Sequence, residues 1–452
     1  MLFANVAIIL TDLDGLRMTF DWGGASAHKP CIFCANVWKK DIPLLPGNVN
    51  IHCTDTTLFK LRDHSDMIGI MAVLIESKSK YLNGEMGAGE YKELVQGLGF
   101  NANPWSLQAD PALCEVLDLP AVIRTDWVHN FLSHGTFAKE CTVVVQACAD
   151  IGLAFNFWRD LLKADWRFPK RRGVKTSELH NAFSSHNEDN QTVICKASEY
   201  LSLYVIMRHF IESRLMDDDR VKPQRESFEA LCKVLDLILL AKRSDTDNAP
   251  RVAEPLQMAL VAHSRLHQRA YGTTHVLPKH HASFHNAGQI LRDKCVIDMF
   301  VVERLNIRVK QVAEAVKNTE SWETSVSASL WTRQFNQLAE GSLNFSNGLL
   351  GASVPFPGHP ATSLSKAVRQ DGKEFHTGDI VVAGAYVGKI LGCAREGHQL
   401  ALFLQMMDLV GHRTRSSGRY VLSQRLRTVL VHDAWESNAW YHHGGDEYTV
   451  LH

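Results

Sequence analysis

The sequence predicts an α/β beginning, a long helical middle and a β-rich tail. Three observations carry this reading. A short unbroken apolar run, Val6, Ala7, Ile8, Ile9 and Leu10, stands near the start. Amphipathic segments with helical spacing fill much of the stretch from residue 61 to 340. From residue 365 onward, short β-branched and aromatic runs alternate with glycine turns.

The apolar run lacks alternation, so it predicts a strand buried on both faces. A single strand cannot stand alone, so its neighbours must come from later in the chain or from sequence before Met1. Asp12 closes the run and Asp14 follows. The C-terminal edge of such a strand is where α/β proteins bind ligands, and carboxylates there suit Mg²⁺. The same aspartates also suit the N-terminus of the next helix, LRMTFDW.

Cys31 and Cys34 form a CxxC. Two thiolates at that spacing grip one tetrahedral zinc or serve as a redox pair. Zinc needs two further ligands, and PKHHASFH offers His280, His281 and His285. His280 with His285 is one pairing. The alternative is His281 with His285, one helical turn apart.

Residues 35 to 60 read as irregular and 61 to 98 as helical. Asp126 and His129 lie in DWVH, at the start of an expected long apolar helix running past Cys148. They read either as an N-cap and a packed histidine or as accessory site residues. Lys170, Arg171, Arg172 and Lys175 form a basic run suited to phosphate contacts or to a solvated loop. A further long helix is expected to begin at Asn286, carrying Glu303 with Arg304 and Arg308 beside it. The Gly-, Pro- and Ser-rich stretch 346–364 reads as a linker. It would divide a domain at 1–345 from a small β-rich domain at 365–452.

Composition narrows the function classes. Of 452 residues, 45% are hydrophobic and 21% charged, which fits a folded protein with a large core. No apolar stretch is long enough to span a membrane, and the first residues lack the pattern of a secretory signal. Ten scattered cysteines fit a reducing, intracellular compartment, a nuclear one included. A formal net charge of −1 gives no overall pull toward nucleic acid, so DNA contact requires local basic patches.

The ordered set Asp12, Cys31 with Cys34, His280 with His285, and Glu303 resembles the RNase H-like DDE transposases of the CACTA and Transib type. The segment TDLDGLRMTF–PCIFC and the DWVH segment add to the likeness, which covers about residues 6 to 320. The resemblance implies a partial RNase H-like core with a large helical insertion. Asp12 and Glu303 would be catalytic Mg²⁺ ligands, with Asp14, Asp126 or His129 as accessories. A structural Zn²⁺ would sit on the cysteines and histidines. Lys170, Arg171, Arg172, Lys175, Arg304 and Arg308 would contact DNA. The family's first catalytic aspartate belongs on a strand before Asp12, and there is no room for it here. The resemblance therefore implies an enzyme domain truncated at its N-terminus, with a degenerate strand-transfer or nuclease site. The competing expectation is a non-enzymatic protein- or chromatin-interaction module that meets its partner through the C-terminal domain.

Overall fold

The computed structural model describes residues 8–39, 44–153, 155–163, 166–169, 179–184, 192–299, 309–317, 320–339, 347–356, 359–370, 373–396, 399–414, 417–436 and 439–451. The chain divides into two compact units, residues 1–147 with 219–301, and 148–218 with 302–452. This division differs from the expected single domain over 1–345, because the stretch 148–218 belongs with the tail.

The first unit begins with strand β1 (Ile9–Thr11), followed at once by helix α1 (Leu13–Phe20). The Asp12 carboxylate accepts a hydrogen bond from the Gly15 N–H and caps α1. A small parallel pair, β2 (Val37–Trp38) and β3 (Val49–Asn50), shapes the loop after the CxxC. Helices α2 (His64–Leu82) and α3 (Ala88–Leu98) come next, then the short helices α4 (Pro111–Val116) and α5 (Leu119–Val122). Leu16, Phe20, Trp22, Phe100 and Leu119 form a core with Met67 and Leu74 of α2.

The partner that β1 requires is β4 (Ile123–Thr125), paired with it in parallel. The sequence carries no strand signal here; the helix start expected at Asp126 follows directly, with Asp126 capping the next helix. The clue is that both strands end in Thr-Asp, and the register sets Thr11 beside Thr125. The expected long helix is two helices, α6 (Trp127–Phe131) and α7 (Thr136–Asp150). Between them Gly135 lies so close to the Asn130 and Phe131 backbone that no side chain fits.

The unit is completed by α8 (Lys222–Arg243), α9 (Ala253–Tyr271) and α10 (Pro278–Asp293). PKHHASFH and NAGQILRD are therefore one helix. The expected continuation toward residue 318 stops at Lys294, which takes a left-handed conformation. Arg124 of β4 clamps Asp293, the last residue of α10, through both carboxylate oxygens.

In the second unit, β5 (Trp166–Arg167) pairs with a C-terminal strand, and its helices include Phe155–Lys163, Ala197–Arg214 and Trp322–Ala339. The tail supplies β6 (Gly348–Phe356), β7 (His359–Gln370), β8 (Lys373–His376), β9 (Ile380–Ala383) and β10 (Tyr386–Glu396). It continues with β11 (Gln399–Arg413), β12 (Ser417–Leu430), β13 (Trp435–Glu436), β14 (Ala439–Gly444) and β15 (Glu447–Leu451). The pairings are antiparallel meanders, and β5 edges the sheet beside β14. The expected linker 346–364 is corrected here: β6 and the first half of β7 lie inside it, and the two strands pair with each other. The described Gly348, Gly351, Pro355 and Pro360 lie within these two strands. Among the described residues, no helix is long and apolar enough to cross a membrane.

Candidate metal centres

Cys31, Cys34, His281 and His285 converge in the first unit, with their ligand atoms all within 4.8 Å of one another. The Cys31 and Cys34 sulfurs lie 3.3 and 3.6 Å from His285 Nε2. A tetrahedral ion with ~2.3 Å bonds to sulfur and ~2.0–2.1 Å bonds to nitrogen separates S and N by about 3.6 Å. His281 is almost wholly buried, and neither ring nitrogen has a hydrogen-bond partner. Buried polar atoms are normally paired, so the donor set fits a metal ion.

Local structure explains the convergence. Arg62, itself buried, donates from Nη1 to the Cys31 and Ile32 carbonyls and so holds the CxxC turn. Asn36 fastens the following loop by donating to the Gly47 and Leu58 carbonyls and accepting from the Lys60 N–H. Phe33 and Phe59 pack against the His285 and His281 rings. A cleft of about 600 Å³, lined in part by Phe33, Phe59, Phe284, His285 and Arg292, opens beside the cluster. Of the two thiols, Cys31 ionises first. Burial opposes this, but the hydrogen bond with Cys34 and the positive potential of His285 and His281 outweigh it. Cys34 is pushed up, first by its hydrogen bond to Cys31 and then by burial.

His280, the first choice from the sequence, is not in this cluster and His281 is. Residues 281 and 285 share a helix face, whereas 280 is turned about 100° away. His280 instead accepts the Leu277 N–H at Nδ1, capping α10.

That turn sends His280 toward a second buried group that sequence reading missed. Glu140 of α7 accepts from His263 at 2.7 Å and from His267 at 3.2 Å, both on Oε2, while Ser227 donates to Oε1. Glu140, His263 and His267 could also hold a metal ion. Burial pushes the Glu140 carboxyl up, but the charge and hydrogen bonds of the two imidazoles more than offset it, holding it well below the usual range. The detectable signal was His263 and His267 one turn apart on an apolar face; nothing in the sequence pointed to Glu140.

Asp12 and Asp126, two of the carboxylates assigned from the sequence, follow the adjacent C-terminal ends of β1 and β4. Asp12 caps α1, and Asp14 is exposed beside Arg17. Asp126 is buried with both oxygens engaged: Oδ1 accepts from the Met299 N–H, and Oδ2 from the His129 N–H and ring. His129 is pushed up by the Asp126 hydrogen bond, against burial and Lys279 and with help from Asp12. Burial lowers Lys279, whose Nζ donates to the Ser133 carbonyl. Glu303, Arg304, Arg308, Lys170, Arg171, Arg172 and Lys175 lie outside the described residues.

The fold and its clusters thus define a chain with a mixed α/β and helical first unit able to bind metal and a β-rich C-terminal region. No family model, curated protein or solved structure matches it.

Proposed function

We propose that the first unit is a transposase-derived domain stapled by structural zinc, with residual DNA binding and a degenerate strand-transfer or nuclease site. The observation that carries the reading is the parallel register of Thr11 with Thr125, which brings Asp12 and Asp126 to adjacent strand ends. Carboxylates at that edge are where an α/β fold gathers metal-dependent chemistry. The thiolate–imidazole set of Cys31, Cys34, His281 and His285 suits zinc. It ties the CxxC loop to α10 across the helical insertion.

The site is degenerate because its acids are partly engaged. Asp12 keeps Oδ1 on the Gly15 N–H, and a metal would have to break the Asp126 contacts with Met299 and His129. Two ions flanking a phosphodiester need several free carboxylate oxygens.

The test uses the full chain with a labelled DNA duplex and Mg²⁺ or Mn²⁺. Binding should be weak and fall steeply with salt, because phosphate contacts release counterions, and cleavage should be absent. No binding at low salt overturns the DNA-binding part. Metal-dependent nicking lost in both Asp12→Ala and Glu303→Ala overturns the degeneracy.

The same capping contacts favour a second reading, a non-enzymatic interaction module meeting protein or chromatin through the β-rich tail. On that reading neither Mg²⁺ nor DNA changes the melting temperature.

A further inference from the structure

The geometry points to a second metal site, wholly interior, in which Glu140, His263 and His267 hold a divalent transition-metal ion. It is separate from the thiolate cluster and goes beyond the function proposed above.

Two helices supply its ligands. His263 and His267 stand one turn apart on the buried face of α9, and Glu140 comes from α7. The exposures of Glu140, His263 and His267 are 0%, 3% and 0%. Among the described residues, the ion pairs of Glu140 are with these two imidazoles. A carboxylate so deeply buried requires a compensating cation. Protonated histidine is one solution and a bound metal is the other.

The geometry is close to that of a tetrahedral ion. Ligand bonds of ~2.0–2.1 Å set N and O about 3.3 Å apart. His267 Nδ1 and Glu140 Oε2 are at 3.2 Å already. His263 Nε2 is at 2.7 Å and has to withdraw by about half an ångström. Ser227 from α8 donates to the other carboxylate oxygen, which orients Oε2 toward the imidazoles in the way outer partners fix metal ligands.

One atom is left unexplained without an occupant. His280 Nε2 is buried and has no hydrogen-bond partner, and its ring lies 4.6 Å from that of His267, whose Nδ1 faces Glu140. Because His280 Nδ1 accepts the Leu277 N–H, its proton resides on Nε2. His280 therefore serves as a donor toward a water or anion in the metal's remaining position, not as a ligand. Imidazole with carboxylate selects zinc, iron or manganese rather than the softer ions that thiolates prefer.

Cobalt distinguishes the two centres, because only a thiolate ligand gives the near-ultraviolet sulfur-to-cobalt absorption. The metal-free full chain is titrated with Co²⁺, and bound metal is measured after desalting. The sulfur-to-cobalt band should saturate at one equivalent while bound cobalt reaches two. His267→Gln and Glu140→Gln should reduce bound cobalt from two to one and leave the band unchanged. Folded wild-type chain that binds one equivalent, with the band fully developed, overturns the inner site. One equivalent with no band supports the inner site and removes the thiolate centre instead. The wild-type titration decides the matter even if both variants fail to fold.

Discussion

Cys31 Sγ and His285 Nε2 lie 3.3 Å apart although 254 positions separate them in the chain. With the Cys34 and Phe33 contacts to the same ring, this ties the CxxC loop to α10, and zinc would turn that proximity into a bond. Purified protein should carry zinc at this centre, lost on Cys31→Ser. Structural zinc contributes about 10–16 kcal/mol of apparent binding energy in small fingers; only part of that is expected here, since the surrounding unit has a core of its own. Metal analysis with thermal melting before and after chelation checks this. Unchanged melting would show that the centre is not structural.

Histidine 129 makes the first unit sensitive to pH. Its folded pKa is raised above the ordinary 6.5, chiefly by the Asp126 hydrogen bond. A raised folded pKa means the protonated form is the stabilised one. Its contribution is fully present below about 6.5 and is lost as pH rises through the folded value. Asp12 and Asp126 favour the charged ring, and Lys279 opposes it. His129→Gln should therefore flatten the decline in stability above pH 6.5. Urea unfolding at several pH values measures the slope, and an unchanged slope would assign the decline to another group.

The legible parts of the fold were those with a local signal. The apolar run announced a strand, of which Ile9 and Leu10 lie in β1, half-buried rather than covered on both faces as expected, and the CxxC announced two members of a cluster able to hold a metal. The strand Ile123–Thr125 was missed because three residues next to helix-forming neighbours carry no period of their own; only pairing with β1 makes them a strand. The choice between His280 and His281 depended on helix phase, which the two adjacent histidines leave undetermined until α10 is seen to begin at Pro278. Glu140 was invisible because its role arises from helices more than a hundred residues away. The supposed linker misled because glycine and proline mark β-turns and boundaries alike.

Two glycines should respond oppositely to alanine. A Cβ on Gly135 would lie 2.3 Å from the Asn130 carbonyl oxygen, a backbone atom with nowhere to go. The α6–α7 junction would have to open, at a cost at or above the ~1–3 kcal/mol typical of overpacking. Gly69, exposed on α2, meets nothing within 4 Å. Gly69→Ala should stabilise by up to about 1 kcal/mol through helix propensity alone. Denaturation midpoints of the two variants provide the comparison.

The last prediction concerns Arg124 and Asp293, which pair through two hydrogen bonds with side chains 5% and 8% exposed. Arg124 also donates to the Ile123 carbonyl at 2.9 Å. The pair therefore fixes β4 to the C-terminal end of α10, the helix that carries His281 and His285. Asp293→Ala leaves a buried guanidinium without its counter-charge and should cost about 3–5 kcal/mol. Arg124→Met alone should cost less, because Asp293 keeps a contact with Arg292. Replacing both, as Arg124→Met with Asp293→Leu, should recover much of the loss, since a buried ion pair contributes little over an apolar pair of similar volume. A double-mutant cycle from urea denaturation gives the coupling. If the double variant is as unstable as the sum of the singles, the pair acts through something other than mutual charge compensation. The same variants test transmission to the metal centre: Asp293→Ala should also weaken metal retention by Cys31, Cys34, His281 and His285, because α10 would no longer be held against β4.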